Sequence, residues 1–382
     1  MPLSNLDVVE LTDWRRLLHR YPELSGQEAD TARRVVEALG PTSPDRILTG
    51  LGGRGVAAVY EGAAPGPTVM FRAELDALPI EELSDIPHRS GVPGKGHLCG
   101  HDGHMTMLAG LGRLVARRRP ARGRVVLMFQ PAEEDGSGAA AVIADPQFGE
   151  IRPDWAFAIH NMPGLPLGQV RVAAGPANCA SVGMRIVLGG RTSHASVPEA
   201  GVSPALALAR LIPALTALGP GGALVPGYRL ATVTHARLGE PAFGIAPGHG
   251  EVWVTLRSLT NADLAALEQA ATDLAGREAG AAGLTVAVTR HDHFAACTND
   301  AEATAAIRAA LDAEAIGHAA WDAPMRGSED FGRFGAVARS AMLLLGSGED
   351  RPMLHNPDFD FPDELIPVGI RIFDRIRRDL LG

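Results

Sequence analysis

Cysteine, aromatic side chains and long apolar runs are all scarce in these 382 residues: there are three cysteines, and aromatics make up 5%. Three cysteines cannot all pair within one chain and make no disulfide framework, so a reducing compartment is expected. No apolar run approaches the roughly 18 residues that a spanning helix needs. No segment joins a basic start, an apolar core and a cleavage site, and the expected location is cytoplasmic. Positive charge is also in short supply. With 35 Lys and Arg against 44 Asp and Glu, the net charge of -9 gives no broad attraction for nucleic acid or an anionic membrane, and neither is expected as a partner. The glycine-rich stretch Gly50 to Gly55 lacks the Gly-Lys-Ser/Thr of a phosphate loop, and neither Gly52-Gly53 nor Gly189-Gly190 makes a dinucleotide fingerprint.

What is present is an ordinary globular composition, 46% hydrophobic and 21% charged, on a length that favours two domains with separate cores. The first forty residues suggest two helices, the second running from Thr31 to a stop at Gly40. Val56 to Tyr60 and Thr68 to Phe71 read as strands, as do the apolar runs ending at Phe129 and Ile159. Helical patterns lie between them, including one that Asp102 would cap. This alternation predicts an α/β domain with a largely parallel sheet covered on both faces.

Composition changes near residue 175. Val182, Met184, Ile186 and Leu188 alternate as a strand, a helix follows from Pro204 to Leu215, and Arg229 to Thr234 and Glu251 to Leu256 are further strands. A helix from Asp263 to Ala279 and a strand from Leu284 to Thr289 complete a smaller α+β unit with an antiparallel sheet. Helix and strand alternation of the first kind then resumes, so the smaller unit is read as an insertion. The expected boundaries are 1–175 and 293–382 for the divided catalytic domain, with 176–292 as the insert.

Three imidazoles, a thiol and a carboxylate crowd into His97-Leu98-Cys99-Gly100-His101-Asp102-Gly103-His104, which reads as a divalent metal site. Cys99 and His101 flank a glycine turn and can aim at the same ion or at adjacent ones. His104, one helical turn on, suits a ligand or a supporting hydrogen bond. Asp102 suits a helix cap or a group that orients a ligand. Other polar residues stand where apolar runs stop: Glu133-Glu134, His160 and His355. In an open α/β sheet such strand ends converge. Cys99, His101, Glu134, His160 and His355 together offer five donors, enough for two close divalent ions, and leave Glu133 to take a proton from water and pass it to a leaving nitrogen. Two adjacent carboxylates in a confined pocket require a cation or a shared proton; on an open loop they require nothing. His194 could donate to a developing oxyanion or simply bond Ser193 or Thr192. Arg257 and Arg326 are candidates for a substrate carboxylate, and His291-Asp292-His293 is read as a hinge or a surface strand end.

At these residues the chain resembles the M20 metallopeptidase family, in the amidohydrolase branch of hippurate hydrolases, N-acyl-amino-acid deacylases and auxin-conjugate hydrolases. The resemblance runs from about residue 11 to 375. It is carried by Arg72-Ala73-Glu74-Leu75-Asp76-Ala77-Leu78-Pro79, Cys99 to His104, Phe129 to Glu134, Ile159-His160, Gly327 to Phe331 and Leu354 to Pro357. It implies a zinc-exopeptidase-like catalytic domain with an inserted lid or dimerisation domain, and two divalent ions (zinc, manganese, cobalt or nickel) on Cys99, His101, Glu134, His160 and His355. It further implies Glu133 as acid/base, His194 as an oxyanion donor that some members supply across a dimer, and Asp76 as support for a histidine. Glu74 stands where many relatives have aspartate, and Arg191-Thr192-Ser193 replaces a glycine-rich approach to His194.

The expected reaction is metal-dependent hydrolysis of a small N-acyl amino acid to a carboxylic acid and a free amino acid, by a homodimer or homotetramer. Dipeptide or carbamoyl-amide hydrolysis is the alternative among enzymes. A noncatalytic metal-dependent binding protein is the alternative outside them.

Overall fold

The chain describes two compact units in a computed structural model covering residues 2–321 and 323–382. The larger unit comprises Met1–Ala177, Thr298–Asp322 and Asp330–Gly382; the smaller comprises Asn178–Cys297 and Ala323–Glu329. The short segment Ala323–Glu329, which the sequence pattern assigned to the returning part of the larger domain, packs with the smaller unit.

The larger unit is built on an eight-stranded sheet. Its order is Arg46–Leu51, Gly55–Glu61, Arg124–Gln130, Thr68–Glu74, Trp155–Met162, Arg339–Gly346, Val170–Arg171 and His318–Ala319. Four central strands, from Arg124–Gln130 to Arg339–Gly346, are mutually parallel. On one flank Gly55–Glu61 and Arg46–Leu51 join antiparallel, and on the other Val170–Arg171 pairs antiparallel with its neighbour. The expectation of a largely parallel sheet thus holds for the centre and not for the flanks. Every residue of Thr68–Glu74 is buried, which a strand achieves only when both sheet faces are covered. Leu11, Leu18, Val35, Leu108, Leu111, Ile370 and Phe373 from four helices share one core with Phe71, Leu127 and Phe157 of the strands.

The first helix, Asn5–Arg20, starts at a capping box in which Ser4 and Asp7 exchange hydrogen bonds. The last, Leu365–Leu381, buries Ile366, Ile370, Phe373 and Ile376, a period of three to four residues that defines one apolar stripe.

The smaller unit has a four-stranded antiparallel sheet in the order Arg229–Leu238, His249–Ser258, Ala180–Gly189 and Thr285–Phe294. Along the central strand Val182, Met184, Ile186 and Leu188 are buried with Leu208 and Leu211 of the helix Ala205–Leu218 and Leu264 and Leu267 of the helix Asn261–Ala281. The alternate residues Arg185 and Trp253 lie on the other face and are exposed. Period-two alternation therefore places both helices on one side. His291-Asp292-His293 falls at an irregularity near the end of the last strand, where Asp292 takes a φ of 49°. Among the described residues no helix is long and apolar enough to cross a membrane.

Candidate metal centre

Polar side chains collect at the carboxyl ends of the parallel strands. Thr68–Glu74 runs on to Asp76, Arg124–Gln130 runs on to Glu133 and Glu134, and Trp155–Met162 carries His160 near its end. The helix His101–Arg117 begins over the same ends. Its N-cap is Gly100 at φ 91°, where a Cβ would overlap Asn161 Oδ1, so glycine alone lets the chain turn between Cys99 and His101. Asp102 is therefore not the cap: it lies inside the first helical turn, and no side chain caps this helix.

Each imidazole is aimed by one of its nitrogens. His101 Nδ1 donates to the backbone oxygen of Asp76 at 2.8 Å, leaving Nε2 buried without a hydrogen-bond partner. The Asp76 carboxylate accepts from Ser25 Oγ at 2.7 Å and from the Glu134 N–H at 3.0 Å, so it holds the strand end and the carboxylate loop together. His160 Nδ1 donates to Asn161 O at 2.8 Å, which leaves Nε2 facing Cys99 Sγ at 3.6 Å. His355 sits at φ 67°, uncommon for a residue with a Cβ, and its N–H donates to Leu98 O at 2.8 Å. That bond brings the His355 loop beside Cys99.

The carboxylates close the cluster. Glu133 Oε2 and Glu134 Oε1 each lie 3.8 Å from His101 Nε2, and Glu134 Oε2 lies 3.7 Å from His355 Nε2. Three donor triads result, each with its atoms within 4.8 Å of one another: Cys99, His101 and His160; Cys99, Glu134 and His355; His101, Glu133 and Glu134.

Burial, followed by the nearby Glu134 charge, pushes the Cys99 thiol well above its ordinary value. Burial and the neighbouring His104 pull His160 down to about 3, and burial and His101 lower His355. Against the effect of its own burial, His101 is raised by Cys99 and Asp76. A cluster of acids and a thiol beside imidazoles at His160 and His355 that stay neutral, with a buried His101 nitrogen that has no hydrogen-bond partner, has the composition that divalent cations complete. The donors fit a dinuclear metal site, and their mixture of thiol, imidazole and carboxylate selects no single metal.

In the smaller unit His194 is exposed and belongs to a two-residue strand, Ser193–His194, paired with Ile245–Ala246. Its Nδ1 accepts from the Ser196 N–H at 3.2 Å and lies 2.7 Å from Ser196 Oγ, so its partner is neither Ser193 nor Thr192. In a neutral imidazole, an accepting Nδ1 leaves Nε2 as the donor. Arg257 donates to Arg326 O at 3.1 Å and Ser328 Oγ at 2.8 Å, while Arg326 donates to Gly222 O at 2.9 Å beneath the Tyr228 ring. Both arginines thus meet neutral oxygens.

The sequence profile of peptidase family M20/M25/M40 matches residues 70–379. The chain belongs to the M20 peptidase family. It lies in the amidohydrolase and deacylase branch, and it is a metal-dependent hydrolase of that family. Over 381 residues it is 30% identical to thermostable carboxypeptidase 1 of Saccharolobus solfataricus, covering 95% of this chain and 94% of the relative. It is 28% identical over 366 residues to N-acetylcysteine deacetylase of Bacillus subtilis, with 95% and 94% covered. The crystal structure of the Bacillus subtilis YXEP protein, a dinuclear metal binding peptidase from the M20 family, superposes with a TM-score of 0.83 at 25% identity over 99% of both chains.

Of the two roles that its position allowed, His104 takes the supporting one, against Glu74. His104 Nδ1 lies 2.7 Å from Glu74 Oε2, and its Nε2 lies 2.7 Å from Asn161 Oδ1 and 3.1 Å from the Asn161 backbone nitrogen. Both nitrogens of His104 are therefore engaged in holding the Glu74 strand to His160's neighbour. Glu74 also pairs with Arg72, which reaches Asp330 at 2.6 Å. Burial opposes ionisation of Glu74, but Arg72 and His104 hold its carboxyl well below the usual range. Asp102 turns away into a second buried cluster, pairing with Arg15 at 3.0 Å and His19 at 2.9 Å. The spacing of Arg15 and His19, one helical turn apart, was the available sign of that second cluster.

Proposed function

We propose that this protein hydrolyses the amide bond of N-acyl amino acids. Cys99, His101, His160, Glu134 and His355 would hold two divalent ions, with zinc, manganese, cobalt and nickel all compatible with the donors. The observation that carries the reading is the pair of adjacent carboxylates: Glu134 lies between His101 and His355, while Glu133 approaches the same His101 nitrogen from beside it.

Bound ions would polarise the substrate carbonyl and acidify water. Glu133, 6% exposed, takes the proton as water oxygen adds to the carbonyl carbon. It then delivers that proton to the amide nitrogen as the C–N bond breaks, giving a carboxylic acid and a free amine. Asp76 holds His101 in the tautomer whose Nε2 is a lone pair, by fixing the loop whose carbonyl takes the Nδ1 proton. Asp102 anchors the helix that carries His101. His194, with its proton on Nε2, donates to the developing oxyanion. Arg257 and Arg326, which face neutral oxygens, are the cations for the amino acid's carboxylate.

Similarity to a deacetylase of an N-acetyl amino acid supports the acyl reading, and similarity to a carboxypeptidase supports a peptide substrate as the second. The two are separated by release of amine from a panel of N-acyl amino acids and dipeptides, with each of the four metals added in turn. Rapid cleavage of the N-acyl series, abolished by chelation, is expected. Release from dipeptides alone would transfer the assignment to a peptidase. Metal uptake without release from either series would leave a binding protein.

A further inference from the structure

Phe243 is the most exposed of the large apolar side chains among the described residues, at 107% of its reference area. It lies in the connection between the strands Arg229–Leu238 and Ile245–Ala246, and Ile245 is the cross-strand partner of His194. The Ala195 N–H donates to Gly244 O at 3.0 Å, fixing the backbone on both sides of that pair. Val197 and Ile245, 43% and 55% exposed, stand at the same place. An exposed imidazole is thus set on backbone adjacent to three exposed apolar groups. An acyl amide has the matching anatomy, one oxygen that needs a donor and a hydrocarbon chain that needs apolar cover.

We infer that Phe243 is a specificity-determining residue that packs against the hydrocarbon of the substrate's acyl group and selects aromatic and long-chain acyl substrates over acetyl ones. This rests on the reading of His194 as the oxyanion donor. Because the pairing of Ile245 with His194 and the bond from Ala195 N–H to Gly244 O hold the neighbouring backbone beside His194, Phe243 accompanies His194 wherever it meets the substrate. A contiguous apolar cluster at a polar site marks ligand contact more often than isolated exposed residues do.

The test compares N-acetyl, N-octanoyl and N-benzoyl forms of one amino acid on the metal-loaded wild type, Phe243→Ala, Phe243→Leu and His194→Ala. Phe243→Ala should lower kcat/KM about tenfold or more for the octanoyl and benzoyl substrates, chiefly through KM, and leave the acetyl substrate within about twofold. Phe243→Leu should recover most of the octanoyl rate, whereas His194→Ala should lower kcat for all three. An equal fall across the series, or an unchanged ratio, overturns the inference while leaving the proposed activity intact. A change in oligomeric mass by light scattering with the acyl profile preserved also overturns it, assigning this face to a second copy of the chain. If the wild type cleaves none of the three, the proposed activity itself fails and the inference fails with it.

Discussion

His101 and Asp102 are neighbours in the chain and both are buried, yet they face two clusters of opposite character. Around Asp102 each charge meets its opposite: Arg15 contacts Asp102, Asp360 and Asp363, and His19 bridges Asp102 and Glu82 at 2.9 and 3.2 Å. Around His101 the neighbours are Cys99, Glu133 and Glu134, with imidazoles at His160 and His355 that are held neutral. The first cluster is held by ion pairs among its own side chains. The second gathers a thiol, imidazoles and carboxylates in triads whose atoms lie within 4.8 Å of one another, a donor set that suits divalent cations.

The contrast is most sharply broken by Glu133→Gln. Turnover should fall by about 10² to 10⁴, since general acid/base transfer is worth that much, with metal content by elemental analysis unchanged. Retained turnover would remove Glu133 from the reaction. In the other cluster, Arg15→Met strips the shared cation from three carboxylates, and urea unfolding of chelator-treated protein should show a loss of about 3 to 5 kcal/mol. A loss below about 1 kcal/mol would mean that the carboxylates do not depend on it.

His19 gives the same cluster a pH signature. Burial opposes its charge, but Asp102 and Glu82 raise it to about 9 against an unfolded value near 6.5. A raised value places the stabilisation in full below about pH 6.5 and removes it as pH climbs through about 9, in total on the order of 3 kcal/mol. The stability difference between wild type and His19→Gln, followed from pH 6 to 9.5 (a range of about 3.5 units), should therefore shrink; a constant difference would contradict the charged form. The smallest effect has the opposite sign. Glu134→Gln relieves repulsion and should raise the stability of the metal-free protein by about 0.5 to 2 kcal/mol while lowering its metal content. Destabilisation of the metal-free form would place this carboxylate among structural groups.

The two clusters were also unequally legible. Cys99 and His101 could be read from the crowding of donors in one octet, and Glu133, Glu134, His160 and His355 because each stands where an apolar run stops, ends that parallel-sheet geometry gathers whatever their separation in sequence. The inserted α+β unit was legible for a related reason, since alternation in Val182 to Leu188 fixes which face is buried. The Arg15 cluster was not, because Glu82, His88 and Asp360 come from irregular segments with no period to project. The turn at Gly100 misled in another way: an aspartate ahead of a helical pattern has the chemistry of a cap, and only the backbone reveals that the helix has already begun. The exposure of Phe243 likewise depends on what fails to cover it, which composition does not encode.

Gly100 carries a further consequence for anyone who would redesign this chain. Its φ of 91° and the Asn161 oxygen standing where a Cβ would be leave no room for any other amino acid between a thiol and an imidazole that must point the same way. A library randomised at this one codon should return a single survivor, while codons on either side fail for loss of chemistry instead of loss of space. The residue with no functional group is thus the one whose replacement no added ion, altered buffer or compensating charge could rescue.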